Sequence, residues 1–330
     1  MHTKKPKIAV IGAGVAGLNL ARMLSSQADV TVFEKSDKLG GRAATHIAGE
    51  YCFDHGAQFF TVKSKAFMQF VKQLEAQGVV ARWEARFAEI RNAEITSQRQ
   101  WDASYPHYVG APTMQAIGNF MAKDLDVRLN QTVHALKRDN NTWLLMSEHA
   151  LLGEFDWVLF AIPAAQAYAL LPDDCGFKHD LPDVTMQACY ALMLGYSQAK
   201  DHAWDAALIS GSVLSWASVN SSKPGRAQNF SMVVMSRNAW AETHFNHEAH
   251  VVEQAMLAEL SQIMHQEMAD YSYLKLKRWK YANAARRAQP MLLLDESLQL
   301  ACCGDWCKVG RIESAFTSSV DLATAVHSML

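Results

Sequence analysis

The sequence predicts an α/β fold in which a parallel sheet covered by helices is interrupted by an inserted α+β domain built on a mixed sheet. Three observations support this prediction. An apolar strand, Ile8–Ile11, passes through a glycine-rich turn into a helical pattern. A second apolar strand, "DVTVFE", follows and completes a β-α-β unit. A late buried strand, "LQLACCGD", precedes a terminal helical pattern, which indicates that the chain returns to its first domain.

Length and composition agree with two domains. The 330 residues are 50% hydrophobic and 19% charged, which is enough apolar sequence for more than one core. The formal net charge of −2 gives no field that would attract nucleic acid or an anionic membrane, so neither partner is expected. The longest apolar stretch contains Pro163 and Gln166 and is shorter than the roughly 20 residues of a spanning helix. The basic residues before Lys7 lead directly into the glycine-rich turn without a cleavage site, so we expect a cytoplasmic protein.

Hydrophobic periodicity predicts the other elements. Helices are expected from about Ala16 to Ser25, from about Ser64 to Gln77, over "APTMQAIGNFMAKDL" with Pro112 near the start, from about Glu242 to Ile263, and over the terminal "RIESAFTSSVDLATAVHSML". Strands are expected in a hairpin that turns at Asn140 and Asn141, in "FDWVLFAIPAAQAYALL" up to Pro163, and in "YSYLKLKRWKYANA".

The glycine-rich turn has the spacing of a dinucleotide-binding site. Gly12 permits the tight turn, Gly14 lets the backbone approach a pyrophosphate, and Gly17 lets the helix pack closely on the strand. Glu34 lies about 20 residues further on, where a carboxylate accepts hydrogen bonds from an adenosine ribose. The contacts predicted here are Gly12, Ala13, Gly14, Val15, Ala16, Gly17, Glu34 and Lys35.

A second glycine pair decides which nucleotide is expected. "EKSDKLGGRAAT" places Gly40, Gly41 and Arg42 just after the acid, which resembles the flavoprotein extension of amine oxidases, where arginine and backbone amides contact the FAD phosphates. Near the end, Asp305 follows a buried strand and precedes a helix, so it is expected to bind the ribityl or pyrophosphate region. The N-terminus of that helix favours the negative charge of reduced flavin. No cysteine lies in a flavin attachment motif, so noncovalent FAD is expected. No bound metal is expected.

Several motifs together resemble one family. "DHGAQFFT", "YVGAPTM", "SSKPGR", "KRWKYA" and "CGDWCKVGRIESAF", in this order, are similar to those of the bacterial renalase-type flavoproteins of the amine oxidase superfamily. The resemblance implies a FAD oxidase that takes a hydride from isomeric 2- or 6-dihydronicotinamide forms of NAD(P) and passes it to FAD N5. Such an enzyme releases NAD(P)⁺ and reduces O2 to H2O2. An oxidase of small amines and a flavin-binding protein without turnover stay open as alternatives.

The resemblance also implies site residues. Gly56, Ala57, Gln58 and Phe59 match the segment beside the isoalloxazine, and Trp279 and Tyr281 match an aromatic pair over the flavin. This chain has Ala43 where the family has a larger residue, and Lys277 where the family has histidine. The expected catalytic residues are Gln58, Lys277, Trp279 and Tyr281. The further cofactor contacts are Gly41, Arg42, Gly56, Ala57, Gln58, Phe59, Val133, Gly304, Asp305, Arg311 and Glu313.

The aromatic pair lies on a strand whose two faces are predicted to differ. A period of two places Leu274 and Leu276 on one face, and Lys275, Lys277, Trp279 and Tyr281 on the other. This pattern is also compatible with an exposed edge strand. Basic residues that could receive substrate phosphates are Lys223, Arg226, Arg278, Lys280, Arg286 and Arg287, and a solvated cationic face is the alternative for each of them.

These assignments predict a discontinuous glutathione reductase type Rossmann-like domain. The FAD-binding domain is expected over residues 1–65, 107–165 and 294–330, and the substrate domain over 66–106 and 166–293. His244, His247 and His250 are expected to share part of one helix face with Glu242 and Glu248 nearby, as a solvated polar surface and not as a metal site.

Overall fold

The computed structural model describes residues 5–285 and 291–330, and within these ranges the chain forms two compact units. The first unit contains the described parts of Met1–Ala43, Ile117–Met186 and Ala284–Leu330, and the second contains Ala44–Ala116 and Gln187–Asn283. The domain boundaries expected from the sequence stay a prediction.

The described helices are α1 (Val15–Leu24), α2 (Lys65–Ala76), α3 (Gln115–Met121), α4 (Ala164–Leu170), α5 (Asn238–Thr243), α6 (Ala249–Met264) and α7 (Ile312–His327). The described strands are β1 (Lys7–Ile11), β2 (Asp29–Phe33), β3 (His46–Ala48), β4 (Tyr51–Phe53), β5 (Val80–Arg82), β6 (Arg86–Arg91), β7 (Glu94–Gln100), β8 (Tyr108–Gly110), β9 (Asp126–Arg128), β10 (Ala135–Asp139), β11 (Thr142–Met146), β12 (Leu151–Phe155), β13 (Trp157–Phe160), β14 (Met186–Gly195), β15 (Ala206–Ser210), β16 (Leu214–Val219), β17 (Ser231–Ser236), β18 (Tyr273–Ala284), β19 (Leu293–Asp295) and β20 (Leu300–Cys302).

A six-stranded sheet organises the first unit, with the strand order β19-β20-β13-β1-β2-β9. Its neighbours pair in parallel, except for β19 and β20, which are antiparallel. All of β13 and four of the five residues of β1 are buried, because a parallel sheet is covered on both faces. The α/β fold, with a late strand that returns to the first sheet, is confirmed.

The hairpin after the first β-α-β unit is also present. Strands β10 and β11 pair in antiparallel around Asn140, whose φ of 51° is the left-handed conformation that asparagine tolerates in tight turns. A third strand, β12, extends the hairpin into a three-stranded sheet that the sequence reading did not predict.

A mixed seven-stranded sheet organises the second unit, with the order β18-β14-β17-β16-β15-β6-β7. Strands β6 and β15 are parallel, whereas β14 with β17, and β15, β16 and β17 in succession, are antiparallel. The core includes Tyr190, Leu192 and Leu194 of β14, and Met256 and Leu260 of α6. Helix α6 therefore contributes to the core that covers one face of this sheet.

The helix predicted from about Glu242 to Ile263 is present over most of its range as α6, but its predicted start is wrong, because a separate helix, α5, occupies that end. Helix α5 ends at Thr243 and α6 begins at Ala249. The Thr243 hydroxyl donates to the carbonyls of Ala239 and Trp240, and the His244 ring stacks on Trp240 with the centroids 4.4 Å apart. These local contacts compete with continuation of the helix.

The predicted start of α3 near Pro112 is also wrong. Strand β8 ends at Gly110, and Ala111 N donates to Val79 O at 2.8 Å, so the chain is still extended before the proline. A residue that precedes proline disfavours the helical region. Helix α3 consequently begins at Gln115.

All six cysteines of the sequence lie among the described residues and are buried. Burial raises the pKa of the thiols of Cys52, Cys175 and Cys189 to about 11, and that of Cys303 to about 12. Among the described helices, none combines the length and the apolar composition needed to cross a bilayer.

Replacing Gly17 with alanine should destabilise the folded chain by about 1–3 kcal/mol, the usual cost of overpacking. A Cβ at this position would lie 1.9 Å from Gly12 O and 3.0 Å from Ala161 Cβ. Without this clash, alanine would instead favour the helix by about 1 kcal/mol. Urea unfolding followed by circular dichroism measures the free energy of unfolding, and a value at or above that of the wild type would contradict the close packing of α1.

Candidate functional site

The first glycine of the turn is required by the packing of the protein itself. Gly12 has a φ of +105°, and its N–H donates to Phe33 O at 2.8 Å. A Cβ there would lie 2.7 Å from Ala161 O and 2.8 Å from the Ile162 side chain. Only glycine satisfies both the positive φ and this contact with the residues after β13.

Gly14 has a different role, because a Cβ on it would meet no protein atom closer than Gly41 Cα, at 4.0 Å. Gly14 and Gly40 form an isolated parallel bridge, and Gly40 N donates to Ala13 O at 2.9 Å. The structure therefore brings the two glycine-rich segments together at the N-terminus of α1. Val15 and Ala16 are buried in the first turn of that helix.

Glu34 is held against the same turn. One carboxylate oxygen accepts from Ala13 N at 2.9 Å, and the other accepts from Ser36 N at 2.9 Å and from Ser36 Oγ at 2.8 Å. These bonds fix the carboxylate beside the turn, while the neighbouring Lys35 is exposed. The carboxylate is thus positioned in advance for a hydrogen-bonding partner.

Arg42 and Asp305 are paired, although 263 residues separate them in the sequence. The guanidinium donates to both carboxylate oxygens, in the bidentate geometry that makes such pairs strong. Asp305 begins a short 3-10 turn over Asp305–Cys307, and Gly304 N donates to Ser318 Oγ of α7 at 3.1 Å. Both residues were predicted from the sequence as cofactor contacts, whereas their pairing was not predicted.

The remaining expected contacts of this unit are spread along it. Arg311 is the residue before α7 and is exposed, and Glu313 lies in the first turn of that helix. An acidic residue in a first turn is favourable, because the N-terminus of a helix carries partial positive charge. Val133 is buried in the hydrophobic core of the unit, where Phe33 and Trp143 also lie.

These residues fit the phosphates and ribose of FAD. The packing of the protein does not require glycine at position 14, because a Cβ there would meet no protein atom closer than 4.0 Å, so this side of the backbone is open. The amides at the N-terminus of α1 donate no hydrogen bond to a side chain of the N-cap residue. Free amides at a helix N-terminus bind phosphate groups. Glu34 would accept from the ribose, and Arg42, which is paired with Asp305, would be the cation of the same unit.

In the second unit, the segment after β4 is built around the buried Asp54. Its carboxylate accepts from Thr45 Oγ1 at 2.7 Å, from Met114 N at 3.1 Å, and from Arg226 Nη2 at 2.6 Å. Burial would raise the pKa of Asp54, but Lys223 and Arg226 outweigh it and hold the pKa below its ordinary value. Asp54 is therefore ionised at neutral pH.

Gln58, an expected catalytic residue, is 7% exposed and uses all its hydrogen-bonding positions within the protein. Its Nε2 donates to Asp54 O at 2.5 Å and to Gly56 O at 3.0 Å. Its Oε1 accepts from Ser218 Oγ at 2.9 Å and from Lys223 Nζ at 3.2 Å. Gly56, Ala57 and Phe59 are partly exposed on the same segment. The side chain of Gln58 thus stabilises the segment, and any new partner would have to displace one of these bonds.

The structure corrects the interpretation of Lys223 and Arg226 as exposed cations that receive phosphates. The side chains of Lys223, Arg226 and Asp54 are each 0% exposed. Arg226 also donates to the carbonyls of Gly110 and Pro224, at 2.7 Å each. Buried charges require partners of this kind, and Arg226 has no donor turned to solvent for a substrate. Arg286 and Arg287 lie outside the described residues.

The two faces of strand β18 differ, as the alternation of apolar and polar residues along it predicts. Leu274 and Leu276 pack against the core of the second unit. Trp279 stacks on His55 with the ring centroids 5.4 Å apart, and its Nε1 donates to His55 O at 2.8 Å. The indole plane is therefore fixed against the segment that contains Gln58.

The charged residues of β18 divide between the two faces. Lys277 is exposed, and its Nζ lies 5.2 Å from the centroid of the Trp279 ring. Lys280 lies 5.5 Å from the centroid of Tyr281, which is partly buried. Arg278 points to the other face, over Tyr190 and Phe245, and donates to His247 O at 3.0 Å.

An aromatic cluster around Phe59 was missed by the sequence reading. Trp101 and His107 stack with their centroids 3.6 Å apart, and both rings, together with Trp216, lie within 5.3 Å of the Phe59 ring. Burial lowers the pKa of His107 to about 4, so its ring is neutral at pH 7. The four residues come from three separate stretches of the sequence, and no local motif indicated that they meet.

The three histidines expected on one helix face do not share one, because the helix is interrupted. His244 follows α5, His247 lies in the turn, and His250 lies in α6. Among the residues that the structure describes, no group of three His, Cys, Asp or Glu side chains could hold a metal ion.

Gly14→Ala should leave the free energy of unfolding near that of the wild type and weaken FAD binding at least tenfold, about 1.4 kcal/mol. The added methyl group meets ordinary van der Waals space in the protein but occupies the side from which a pyrophosphate approaches. Flavin fluorescence during titration of the apoprotein with FAD measures the dissociation constant. Unchanged affinity would place the phosphates elsewhere.

Glu34→Ala should weaken FAD binding in the same titration by roughly 1.5–3 kcal/mol, the value of a charge-assisted hydrogen bond. Arg42→Ala is its counterpart at the pyrophosphate and should have a similar effect. Full retention of flavin by both variants after dialysis would contradict the assignment of these two residues.

Two family models match the chain. A model described as an NAD(P)-binding Rossmann-like domain matches residues 10–74, and a model described as a flavin containing amine oxidoreductase matches residues 96–327. Residues 10–74 contain the glycine-rich turn, Glu34 and Gly41, and residues 96–327 contain β18 and Asp305.

Curated and solved proteins agree with these matches. The tryptophan 2-monooxygenase of Allorhizobium ampelinum is 45% identical over 85 residues, which are 24% of this chain and 11% of that protein. The aligned segment thus spans about a tenth of the relative. The crystal structure of a proposed protoporphyrinogen oxidase from Exiguobacterium sp. 255-15 superposes with a TM-score of 0.79 at 12% identity, over 100% of both chains. Cyclohexylamine oxidase from Brevibacterium oxydans IH-35A gives a TM-score of 0.72 at 13% identity, over 98% of this chain and 100% of that one.

The structural matches are too distant in sequence to show more than a shared fold. The amine oxidoreductase model, in contrast, covers most of the chain, and the geometry of the first unit fits its cofactor. The chain therefore belongs to the flavin containing amine oxidoreductase family, and FAD is the cofactor that its first unit fits.

Proposed function

We propose that the chain is a renalase-type oxidase of isomeric dihydronicotinamide nucleotides. It takes a hydride from 2- or 6-dihydro forms of NAD(P) and releases NAD(P)⁺. It then reduces O2 to H2O2 with the two electrons and the proton of that hydride and one further proton from solvent. Noncovalently bound FAD supplies the hydride acceptor at N5 and the reductant of O2. The order of five motifs along the chain supports this assignment within the family.

The observation that carries the proposal is the fixed indole plane of Trp279. Its Nε1 donates to His55 O at 2.8 Å, and its ring stacks on that of His55. A planar nicotinamide ring binds well against a rigid aromatic plane, because such surfaces pack in offset stacks. In the proposal, Trp279 and Tyr281 orient this ring and exclude water from it.

The charge of β18 favours a phosphate-bearing substrate over an amine. The strand carries four cationic residues and no carboxylate, and Lys277 and Lys280 lie over the two aromatic rings. A protonated amine would be repelled by these cations, whereas nucleotide phosphates would be attracted. Lys277 and Lys280 are the residues to which we assign this attraction.

The reaction needs little acid or base catalysis from the protein. The lone pair of the substrate ring nitrogen drives hydride release, and restoration of aromaticity favours the product. Positioning therefore accounts for most of the rate enhancement.

We also propose that the enzyme works in the cytoplasm. We propose further that the FAD-binding residues lie in a domain formed by residues 1–65, 107–165 and 294–330, and that the residues that contact substrate lie in a domain formed by residues 66–106 and 166–293.

Mixing the oxidised holoenzyme with a partly isomerised NADH preparation should bleach the flavin within seconds, and peroxide should form in amounts equal to the NAD⁺ released. Stopped-flow absorbance and a peroxide assay with a free-FAD control measure both. Putrescine and cyclohexylamine serve as comparison substrates. Rapid bleaching by an amine and none by the dihydronicotinamides would replace the proposal with an amine oxidase, and no turnover with either class would contradict both assignments.

Lys277→Met should slow reoxidation of the reduced flavin by O2 at least tenfold, about 1.4 kcal/mol of barrier. A cation near the reduced flavin stabilises the negative charge that develops on oxygen. Lys275→Met is the matched control, because Lys275 is an exposed lysine on the same face of the same strand. Stopped-flow traces of the oxidative half-reaction measure the rate. If both variants reoxidise at the wild-type rate, Lys277 has no part in oxygen activation.

A further inference from the structure

The buried cluster of the second unit contains one more cation than its carboxylate needs. Lys223, Arg226 and Asp54 have no exposed side-chain surface, so two positive charges face one negative charge. A buried charge without a full counterion is costly to the fold. The second cation therefore calls for an explanation beyond charge pairing.

Arg226 already serves as the counterion of Asp54. Its Nε and Nη2 lie 3.1 and 2.6 Å from Asp54 Oδ2. Lys223 Nζ lies 3.4 Å from the same oxygen, which is its most distant acceptor. Its nearer partners are the side-chain amide oxygens of Asn220, at 2.9 Å, and Gln58, at 3.2 Å. Lys223 is thus bound mainly to amides.

The Gln58 amide connects two parts of the second unit. Its Nε2 is bound to the carbonyls of its own segment, at Asp54 and Gly56. Its Oε1 is bound to Ser218 and Lys223, which lie more than 150 residues later. Ser218 Oγ has a second acceptor in Val233 O at 3.5 Å, so its proton is shared. The ammonium of Lys223 carries only donors and makes the stronger, charge-assisted bond.

We infer that Lys223 is a positioning residue, whose ammonium group anchors the Gln58 amide and thereby holds the segment from Asp54 to Phe59 in one conformation. The inference rests on the proposed function only in taking this segment as part of the flavin site. Lys223 touches neither substrate nor cofactor in this role and acts through Gln58.

The anchor should depend on pH. Burial lowers the pKa of Lys223 to about 8; Asp54 opposes this shift and Arg226 adds to it. The other titratable group facing the lysine is Cys52, whose pKa burial raises to about 11, so it is a neutral thiol over this range. Below pH 8 the charged anchor is in place. As pH rises through about 8, the charge is lost and the bond to Gln58 weakens.

The test compares four holoenzymes: wild type, Lys223→Met, Ser218→Ala and Lys200→Met. Ser218→Ala removes the other donor to Gln58 Oε1 without changing charge. Lys200→Met is the control for loss of a lysine, because Lys200 pairs with Asp270 near the surface of the same unit. The visible absorption spectrum of bound FAD is recorded from pH 6 to pH 10 for each. Flavin reduction by isomerised NADH is followed at pH 7.

We expect a spectral titration with a midpoint near pH 8 in the wild type, Ser218→Ala and Lys200→Met, and none in Lys223→Met. At pH 7, Lys223→Met should reduce its flavin at least fivefold more slowly than Ser218→Ala. A midpoint that persists in Lys223→Met, a wild type without this titration, or equal rates in Lys223→Met and Ser218→Ala would each overturn the inference.

The spectrum requires no substrate, so it separates this inference from the proposed function. A normal titration with no reaction toward dihydronicotinamides would reject only the substrate. If Lys223→Met does not retain FAD, Lys223→Gln takes its place, because glutamine keeps a neutral donor of similar reach. Loss of the titration in Lys223→Gln supports the charged anchor, and its survival contradicts it.

Discussion

The second unit depends on one buried carboxylate, that of Asp54. It accepts hydrogen bonds from Thr45, Met114, Lys223 and Arg226, which lie in three separate stretches of the sequence. Arg226 in turn binds Gly110 O and Pro224 O, so the turn after β8 and the loop before β17 are fixed through the same ion. A buried carboxylate stays ionised only when its partners outweigh its burial, as the lowered pKa of Asp54 indicates. The local geometry from Asp54 to Phe59 follows from this balance.

The two units prepare their functional groups by different means. In the first unit, the backbone provides most of the binding groups. Gly12 permits the turn, Gly14 leaves one side of it open, and the N-terminus of α1 presents amides that no side chain caps. In the second, side chains are held by other side chains, as Trp279 is by His55 and Gln58 by Lys223 and Ser218. A backbone site tolerates side-chain changes except where a special φ is needed, as at Gly12, or where a close approach leaves no room for a Cβ, as at Gly17. In a side-chain network, removal of one member leaves its partners with an unsatisfied hydrogen-bonding group.

This difference explains what could be predicted from the sequence. The glycine turn, Glu34 and the alternating faces of β18 follow from spacing over a few residues, and the structure has them at those positions. The burial of Lys223 and Arg226 had no such signal, because "SSKPGR" has the composition of a surface turn and the partner Asp54 lies about 170 residues earlier. The pairing of Arg42 with Asp305 and the aromatic cluster around Phe59 likewise join distant segments. The break between α5 and α6 depends on side-chain bonds of Thr243 and His244 that periodicity does not register.

The burial of the cysteines affects how the protein would withstand the proposed chemistry. An enzyme that hands electrons to O2 releases an oxidant at its own surface with every turnover, and the thiolate form of cysteine is what such an oxidant attacks. Here each of the six sulfur atoms lies in a buried residue, and those of Cys52, Cys175, Cys189, Cys302 and Cys303 hold their protons well above neutral pH. Under the proposed oxidase activity, the packing that stabilises the two cores would also protect these sulfur atoms from oxidation by the peroxide that the enzyme forms.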